Sequence, residues 1–334
     1  MILKRMDKCS VKSILLVSLS NLGDMVLTTP VFMKLAGEFP DAVIDVFCGA
    51  PGGEIFSRHP AVREVIIARF HRSAVKRLKN LIYLRNRHYD LVVDLKKTLL
   101  PLFVGAAFHP PVFSFSGYSR VSGIKKTFHK KEEHLRALRS LGINTDDADF
   151  FVPVTMSDCR AVDDLLKGPG GGDIVLLNPG AKSHLKRWGA GKYAELADRL
   201  TGELGCRIMI AGNEDDKGVI GDLLDSVNVP VENIGSRTTI GELMELMRRV
   251  SLVITNDSAP LHMASAVNAP TVAIFGPTDE RKYGPLADKN RVIKPSIKCR
   301  PCGKALCSIG PDEGCISRIT VGEVFNAAKE ILGA

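Results

Sequence analysis

Short apolar runs alternate with longer stretches of helical periodicity along most of the chain. In the first half the runs fall at 13–19, 43–48, 64–68, 91–95 and 112–115. They are rich in Val, Ile and Leu, as strands buried on both faces are. Between them, 25–38, 72–87 and 131–141 carry apolar residues at helical spacing. Strand and helix in strict alternation predict a parallel sheet covered by helices on both sides.

Residues 167–173, KGPGGGD, interrupt the pattern and read as a linker, being too glycine-rich for regular structure. The alternation then restarts, with strands at 174–177, 207–211, 252–255 and 271–275 and helices at 192–204, 217–226 and 239–250. Thr239 and Glu242 form a capping box ahead of an apolar stripe at Leu243, Leu246, Met247 and Val250. A second box, Thr320 with Glu323, opens a last helix. The fold class expected is therefore α/β, with two doubly wound Rossmann-like domains facing across a cleft. The domains are 1–166 and 174–319, joined by the glycine-rich linker, and the C-terminal helix at 320–334 is expected to pack back on the first domain.

A chain of 334 residues accommodates two such domains comfortably. The apolar run at 14–19 is cut at once by Asn21 and Asp24, so it reads as a buried first strand and not as an export signal. The nearest approach to a membrane span, 91–108, is broken by Asp94, Lys96 and Lys97. Eight cysteines without an export signal point to reduced thiols and a cytoplasmic setting. The net charge of +8 favours an anionic partner. The basic stretch 120–131, RVSGIKKTFHKK, has few interleaved aromatics, which argues against nucleic acid.

Polar turns follow the strands, where ligands of open α/β sheets bind. SLSNLGD at 18–24 places Gly23 in the turn and Asp24 at the strand's carboxyl end, as a helix cap or as a general base. It offers one glycine where the dinucleotide fingerprint needs three, which disfavours a nicotinamide enzyme. NPGAKSHLKRW at 178–188 carries Lys182, Lys186 and Arg187, cations suited to a diphosphate. AGNEDD at 211–216 offers Glu214 to ribose hydroxyls. In TNDSAPLHMASAVNAPTVAIFGPTD, at 255–279, a helix N-terminus at 258–260 is ready for an anion. Cations, a carboxylate and backbone donors on successive strand ends describe a nucleoside-diphosphate site.

SLSNLGDMVLTTP, NPGAKSHLKRW and the 255–279 segment, in that order, resemble the ADP-heptose:lipopolysaccharide heptosyltransferases of glycosyltransferase family nine, over essentially the whole length. The resemblance implies a GT-B fold and inverting transfer of heptose from ADP-heptose to the lipopolysaccharide inner core, with no cofactor required. By similarity Asp24 falls at the catalytic base, Lys186 at the phosphate-binding lysine and Glu214 at the ribose contact. Asp257, Ser258, Ala259 and His262 fall in the donor-binding turn and helix. Lys182, Arg187 and Thr278 join the donor set. Ser20, Asn21, Gly23, Lys125 and Lys126 form the acceptor set, with a lipid A precursor as partner and peripheral contact with the inner membrane. Ala259 departs from the glycine common in the family, and a positive φ there would strain it. Two rivals are a transferase of the same fold using a UDP-sugar or another glycan acceptor, and a non-enzymatic binder of anionic polymers. Cys299, Cys302, Cys307 and Cys315 have the ligand count of a structural zinc site but only one C-x-x-C knuckle; unligated thiols or a labile disulfide is the competing reading.

Overall fold

The structure, a computed structural model, describes residues 8–68, 74–110, 118–121, 124–168, 172–304, 306–307, 309–310 and 314–334. The side chains of 74–77, 118–121 and 124–126 are not among those described. The strand expected at 112–115 and the side chains of Lys125 and Lys126 therefore lie outside the described residues. The chain forms two compact units, Met1–Pro153 and Val154–Ala334.

The first unit runs β1 (Ser13–Val17), α1 (Leu22–Val26), α2 (Thr29–Glu38), β2 (Val43–Cys48), α3 (Gly52–Phe56), β3 (Val62–Ile67), α4 (Ala74–Arg85), β4 (Leu91–Asp94), α5 (Leu100–Val104), β5 (Tyr118–Val121), β6 (Ile124–Thr127) and α6 (Lys130–Arg139). Its parallel sheet has the order β3-β2-β1-β4. Ile14, Leu16, Ile44 and Val46 are fully buried in it. β5 and β6 form a separate antiparallel hairpin within the basic stretch. The single helix expected at 25–38 is two. Pro30 has no N–H, and its ring conflicts with the carbonyl four residues back, so α1 stops and α2 restarts with the proline in its first turn. Thr28 and Thr29 close the break by donating to the carbonyls of Met25 and Val26, at 2.7 and 2.8 Å.

The second unit runs α7 (Met156–Leu166), β7 (Ile174–Asn178), α8 (Ala190–Leu204), β8 (Arg207–Ile210), α9 (Lys217–Ser226), β9 (Val231–Asn233), α10 (Ile240–Arg249), β10 (Leu252–Asn256), α11 (Ala259–Ala266), β11 (Thr271–Ile274), α12 (Glu280–Tyr283), β12 (Asn290–Ile293) and α13 (Val321–Leu332). All six strands are parallel, in the order β12-β11-β10-β7-β8-β9. The chain lays strands outward from β7 on one side and then from β10 on the other. The order reverses between β7 and β10, and ligands of such sheets bind outside the carboxyl ends of that pair.

Two expected boundaries are corrected. The second unit begins at Val154, ahead of the glycine-rich stretch, because α7 belongs to it. α7 opens on a Thr155–Asp158 capping box, and it is tied to α10 by Thr239 Oγ1 on Asp158 (3.3 Å) and by the Arg249–Asp163 ion pair (2.6 Å). The C-terminal helix, expected on the first domain, packs on α8 and on β10–β12. Val324, Phe325 and Ala328 join Tyr193 and Leu200 in one core cluster, and Arg199 lies over the Phe325 ring at 4.0 Å.

Candidate functional site

In the second unit the loops after β7 and β10 meet at the reversal point, and one buried side chain joins them. Asn256, the last residue of β10, is 0% exposed. Its Nδ2 donates to the carbonyl of Pro179 at 2.7 Å, and its Oδ1 accepts from the Tyr193 hydroxyl at 3.3 Å. Asn178, the last residue of β7, is equally buried, and its side-chain amide has no hydrogen-bond partner among the described residues. Such a group costs about 1–3 kcal/mol when held dry, so it marks the reversal point as a place built for polar contact. The sequence reading missed both asparagines as functional residues, although each sits where an apolar strand ends in a polar turn.

Lys186 and Asp257 come together here. Lys186 ends a short 3-10 turn, His184–Lys186, and its Nζ lies 2.6 Å from Asp257 Oδ2. Asp257 is 4% exposed and the lysine side chain 31%, so the ammonium reaches outward from a buried anchor. Ser258 caps α11 with extended backbone, and Pro260 lies in the first turn. Pro260 contributes no N–H, which leaves Ser258 and Ala259 as the first-turn donors facing an anion. Ala259 is the first residue of α11 and is not among the residues with positive φ, so alanine in place of glycine is unstrained. His262 is buried in the second turn, 6.4 Å from the Tyr283 ring centre to centre.

The other donor candidates divide. Lys182 is exposed. Arg187 turns its Nε onto the Ala181 carbonyl at 2.8 Å and so braces its own loop. Glu214 is 70% exposed on a 3-10 turn after β8, 2.6 Å from Lys217. The Lys217 hydrogen bond, with help from Ser236, holds its carboxyl below the ordinary range. Thr278 is half-buried, and Arg300 fixes its backbone by donating to the Thr278 carbonyl at 2.9 Å. Gly180 leaves room between these parts: a Cβ there would lie 2.2 Å from the Asp216 carboxyl group, itself bonded to the Asn213 N–H at 3.1 Å.

In the first unit, the loop after β1 is locked by Ser18 Oγ, 2.7 Å from Thr28 Oγ1 inside the core. α1 begins at Leu22 with Asn21 as N-cap, so Asp24 sits within the first turn and is not the cap. Asn21 Nδ2 donates to Asp24 Oδ2 at 3.3 Å, and Asp24 is half-buried. A carboxylate in a first turn is favoured by the helix N-terminus. Gly23 is buried inside the helix and makes no tight turn, contrary to expectation. The close approach falls at Gly49 instead, where a Cβ would lie 2.3 Å from the Ser20 carbonyl oxygen. Lys96, which in the sequence stands only as a break in the apolar run 91–108, is half-buried at the carboxyl end of the same sheet. Burial lowers its pKa and pushes that of neighbouring Cys48 up to about 12.

The cysteines expected as a zinc alternative lie along a cavity of about 480 Å³ with Leu185, Trp188 and Pro277. All are unbridged thiols. Burial raises the pKa of Cys315, and Cys302 and Cys307 add to the rise. Among the described residues no three Cys, His, Asp or Glu side chains converge as metal ligands would. The segment is held by its backbone, Cys302 and Gly303 donating to the Pro277 carbonyl at 3.0 and 2.9 Å.

Comparison with known proteins matches residues 77–312 to the sequence model of glycosyltransferase family 9 (heptosyltransferase). Lipopolysaccharide heptosyltransferase 3 of Escherichia coli (strain K12) is 30% identical over 290 residues, covering 80% of this chain and 83% of its own. Lipooligosaccharide heptosyltransferase 2 of Campylobacter jejuni subsp. jejuni is 26% identical over 326 residues, covering 93% and 95%. Among solved structures, E. coli ADP-heptose lipopolysaccharide heptosyltransferase II aligns with a TM-score of 0.73 at 24% identity, over 96% of this chain and 98% of that one. That likeness is one of fold, and it bears out the GT-B plan of two Rossmann-like domains.

Proposed function

Because the chain belongs to glycosyltransferase family 9, we propose that it moves heptose from ADP-heptose to the inner core of lipopolysaccharide, inverting the anomeric carbon. It is a glycosyltransferase, and relatives named for lipopolysaccharide and ADP-heptose support this substrate pair. The observation that carries the reading is the Lys186–Asp257 pair beside the α11 N-terminus, at the reversal point of the second sheet. A departing diphosphate needs its growing negative charge met by groups already in place. Lys186 and the Ser258 and Ala259 N–H groups supply that charge, so no metal is required in this scheme. Glu214 exchanges Lys217 for ribose hydroxyls, Lys182 and Thr278 border the nucleotide, and Arg187 keeps the loop in shape.

Asp24 acts as general base, taking the proton from the acceptor hydroxyl as that oxygen attacks the anomeric carbon. Asn21 orients its carboxylate. Ser20, with Lys125 and Lys126 of the basic hairpin, contacts an acceptor rich in anionic groups. The proposed acceptor is a lipid, which supports a peripheral place on the cytoplasmic face of the inner membrane. No described helix is long and apolar enough to cross a membrane.

The test is nucleotide release from a panel of sugar nucleotides with lipopolysaccharide core acceptors. ADP-heptose should be consumed and UDP-sugars should not; preferential use of a UDP-sugar refutes the donor. Asp24→Ala should abolish transfer and leave ADP affinity nearly intact, and turnover at the wild-type rate removes the base assignment.

A further inference from the structure

We propose that the outer face of α4 and α5 docks on the surface of an anionic lipid bilayer. The exposed large apolar side chains of the described residues concentrate there. Leu78, Ile82, Tyr83, Leu99, Leu102 and Phe103 are 39–59% exposed. The two helices pack on each other, and Arg85 Nη1 donates to the Phe103 carbonyl at 3.1 Å, so their outer faces adjoin. Each helix has a separate inward face. Leu84, Leu100 and Val104 are buried with Leu15 and Val17 under the sheet, and Leu81 packs against them. The outer apolar residues are thus surplus to the core, and α5 lifts Leu102 and Phe103 outward, at 58% and 59% exposure. Clustered exposed apolar side chains of this kind mark interaction surfaces, where scattered ones do not.

Charge selects the occupant. No Asp or Glu occurs between Glu64 and Asp90, or between Asp94 and Glu132, and both stretches are rich in Lys and Arg. Glu64 itself borders the face, where it accepts from the Tyr83 hydroxyl at 2.6 Å and is neutralised by Arg87. Lys79 and Arg85 stand exposed on α4 beside the apolar residues. A second copy of this chain would set like charge against like charge. An anionic headgroup layer instead meets the cations while Leu102, Phe103 and Ile82 enter the acyl boundary, the pattern of interfacial helices. The acceptor proposed above is a lipid, so this surface rests on that reading and adds where the protein meets it.

The experiment is co-sedimentation of the full chain with phosphatidylglycerol-rich vesicles and with phosphatidylcholine vesicles, for wild type and for the Leu102→Ser/Phe103→Ser variant. Both positions are exposed, so folding should be spared, which circular dichroism checks. Wild type should bind the anionic vesicles, weakly or not at all the neutral ones, and should release with salt. The variant should lose roughly tenfold or more in partitioning, as expected from removing two inserted apolar side chains. Undiminished binding of the variant, or no binding by wild type, overturns the proposal. So does a concentration-dependent dimer in ultracentrifugation that the variant abolishes, since that assigns the face to a second copy. Nucleotide release with a water-soluble, deacylated core acceptor should be equal for both proteins. Vesicle binding without any such transfer by wild type would refute the enzymatic reading and leave the surface standing.

Discussion

Replacing Lys186 by Met removes the ammonium and keeps most of the side chain's reach. Lys186 Nζ and Asp257 Oδ2 are 2.6 Å apart. At an effective dielectric of about 20 their gross attraction is about 6 kcal/mol. The cost of drying Asp257 offsets most of that, and the lysine's partial exposure screens more, leaving a net contribution of about 1–2 kcal/mol. A charged hydrogen bond to phosphate contributes about 1.5–3 kcal/mol, but Lys186 must first loosen from Asp257 to make it. With that loosening deducted about 0.7–2 kcal/mol is left, so Lys186→Met should weaken ADP binding by roughly 3–30-fold, at about tenfold per 1.4 kcal/mol. Titration calorimetry with ADP measures this, with a thermal scan to confirm folding. The competition has a signature of its own: Asp257→Asn should strengthen ADP binding a few-fold, opposite in sign to the lysine variant. An ADP Kd within about twofold of wild type for folded Lys186→Met would refute the phosphate contact. Weakened ADP binding in Asp257→Asn would refute the competition.

Two further outcomes are expected. Gly180→Ala drives a Cβ into the Asp216 carboxyl group, so the loop or the Asn213–Asp216 capping box must yield. The cost should be about 1–3 kcal/mol, read as a fall in Tm of roughly 3–10 °C with weaker ADP binding; an unchanged Tm would show that the loop gives freely. His134, on α6 and 5% exposed, has its pKa lowered by burial from 6.5 to about 4. The unfolded chain takes up the proton below about pH 6.5 and the folded chain only near 4. This contribution is therefore complete above pH 6.5 and is lost as pH falls, by about 3 kcal/mol at pH 4. Denaturant titrations of wild type and His134→Leu should show a flatter acid limb in the variant, and parallel limbs would contradict the assignment.

Features set by neighbours in the chain were legible in the sequence. The Thr239–Glu242 and Thr320–Glu323 boxes are present as read, with each threonine accepting from the glutamate N–H. The strands ending at Asn178 and Asn256 follow from their unbroken apolar runs. Short or edge elements were not legible, because three or four residues carry too little periodicity; β9 and β12 are examples. The glycine run reads as a boundary and sets residues 156–166 with the first unit, whereas the place of α7 is fixed by contacts with α10, far away in sequence. The turn motifs located the candidate site, but partnership lay beyond them. Nothing in NPGAKSHLKRW says that Lys186 meets Asp257 while Arg187 turns back on Ala181. Gly23 stands out as the only glycine of its motif, yet beside that loop it is Gly49 that leaves no room against the Ser20 backbone, placed there by the pairing of β1 with β2.

The Asn256 bond to Pro179 has a consequence for how binding is timed. At a reversal point the two bordering loops diverge, and nothing in the strand order fixes the gap between them. Here one buried amide sets the gap, with Tyr193 holding that amide in turn. The loop's conformational entropy is thus surrendered during folding and not at the encounter with nucleotide. Capture of ADP by the second unit should then be limited by diffusion and by charge, with association rates that fall as salt rises and show no slow ordering phase.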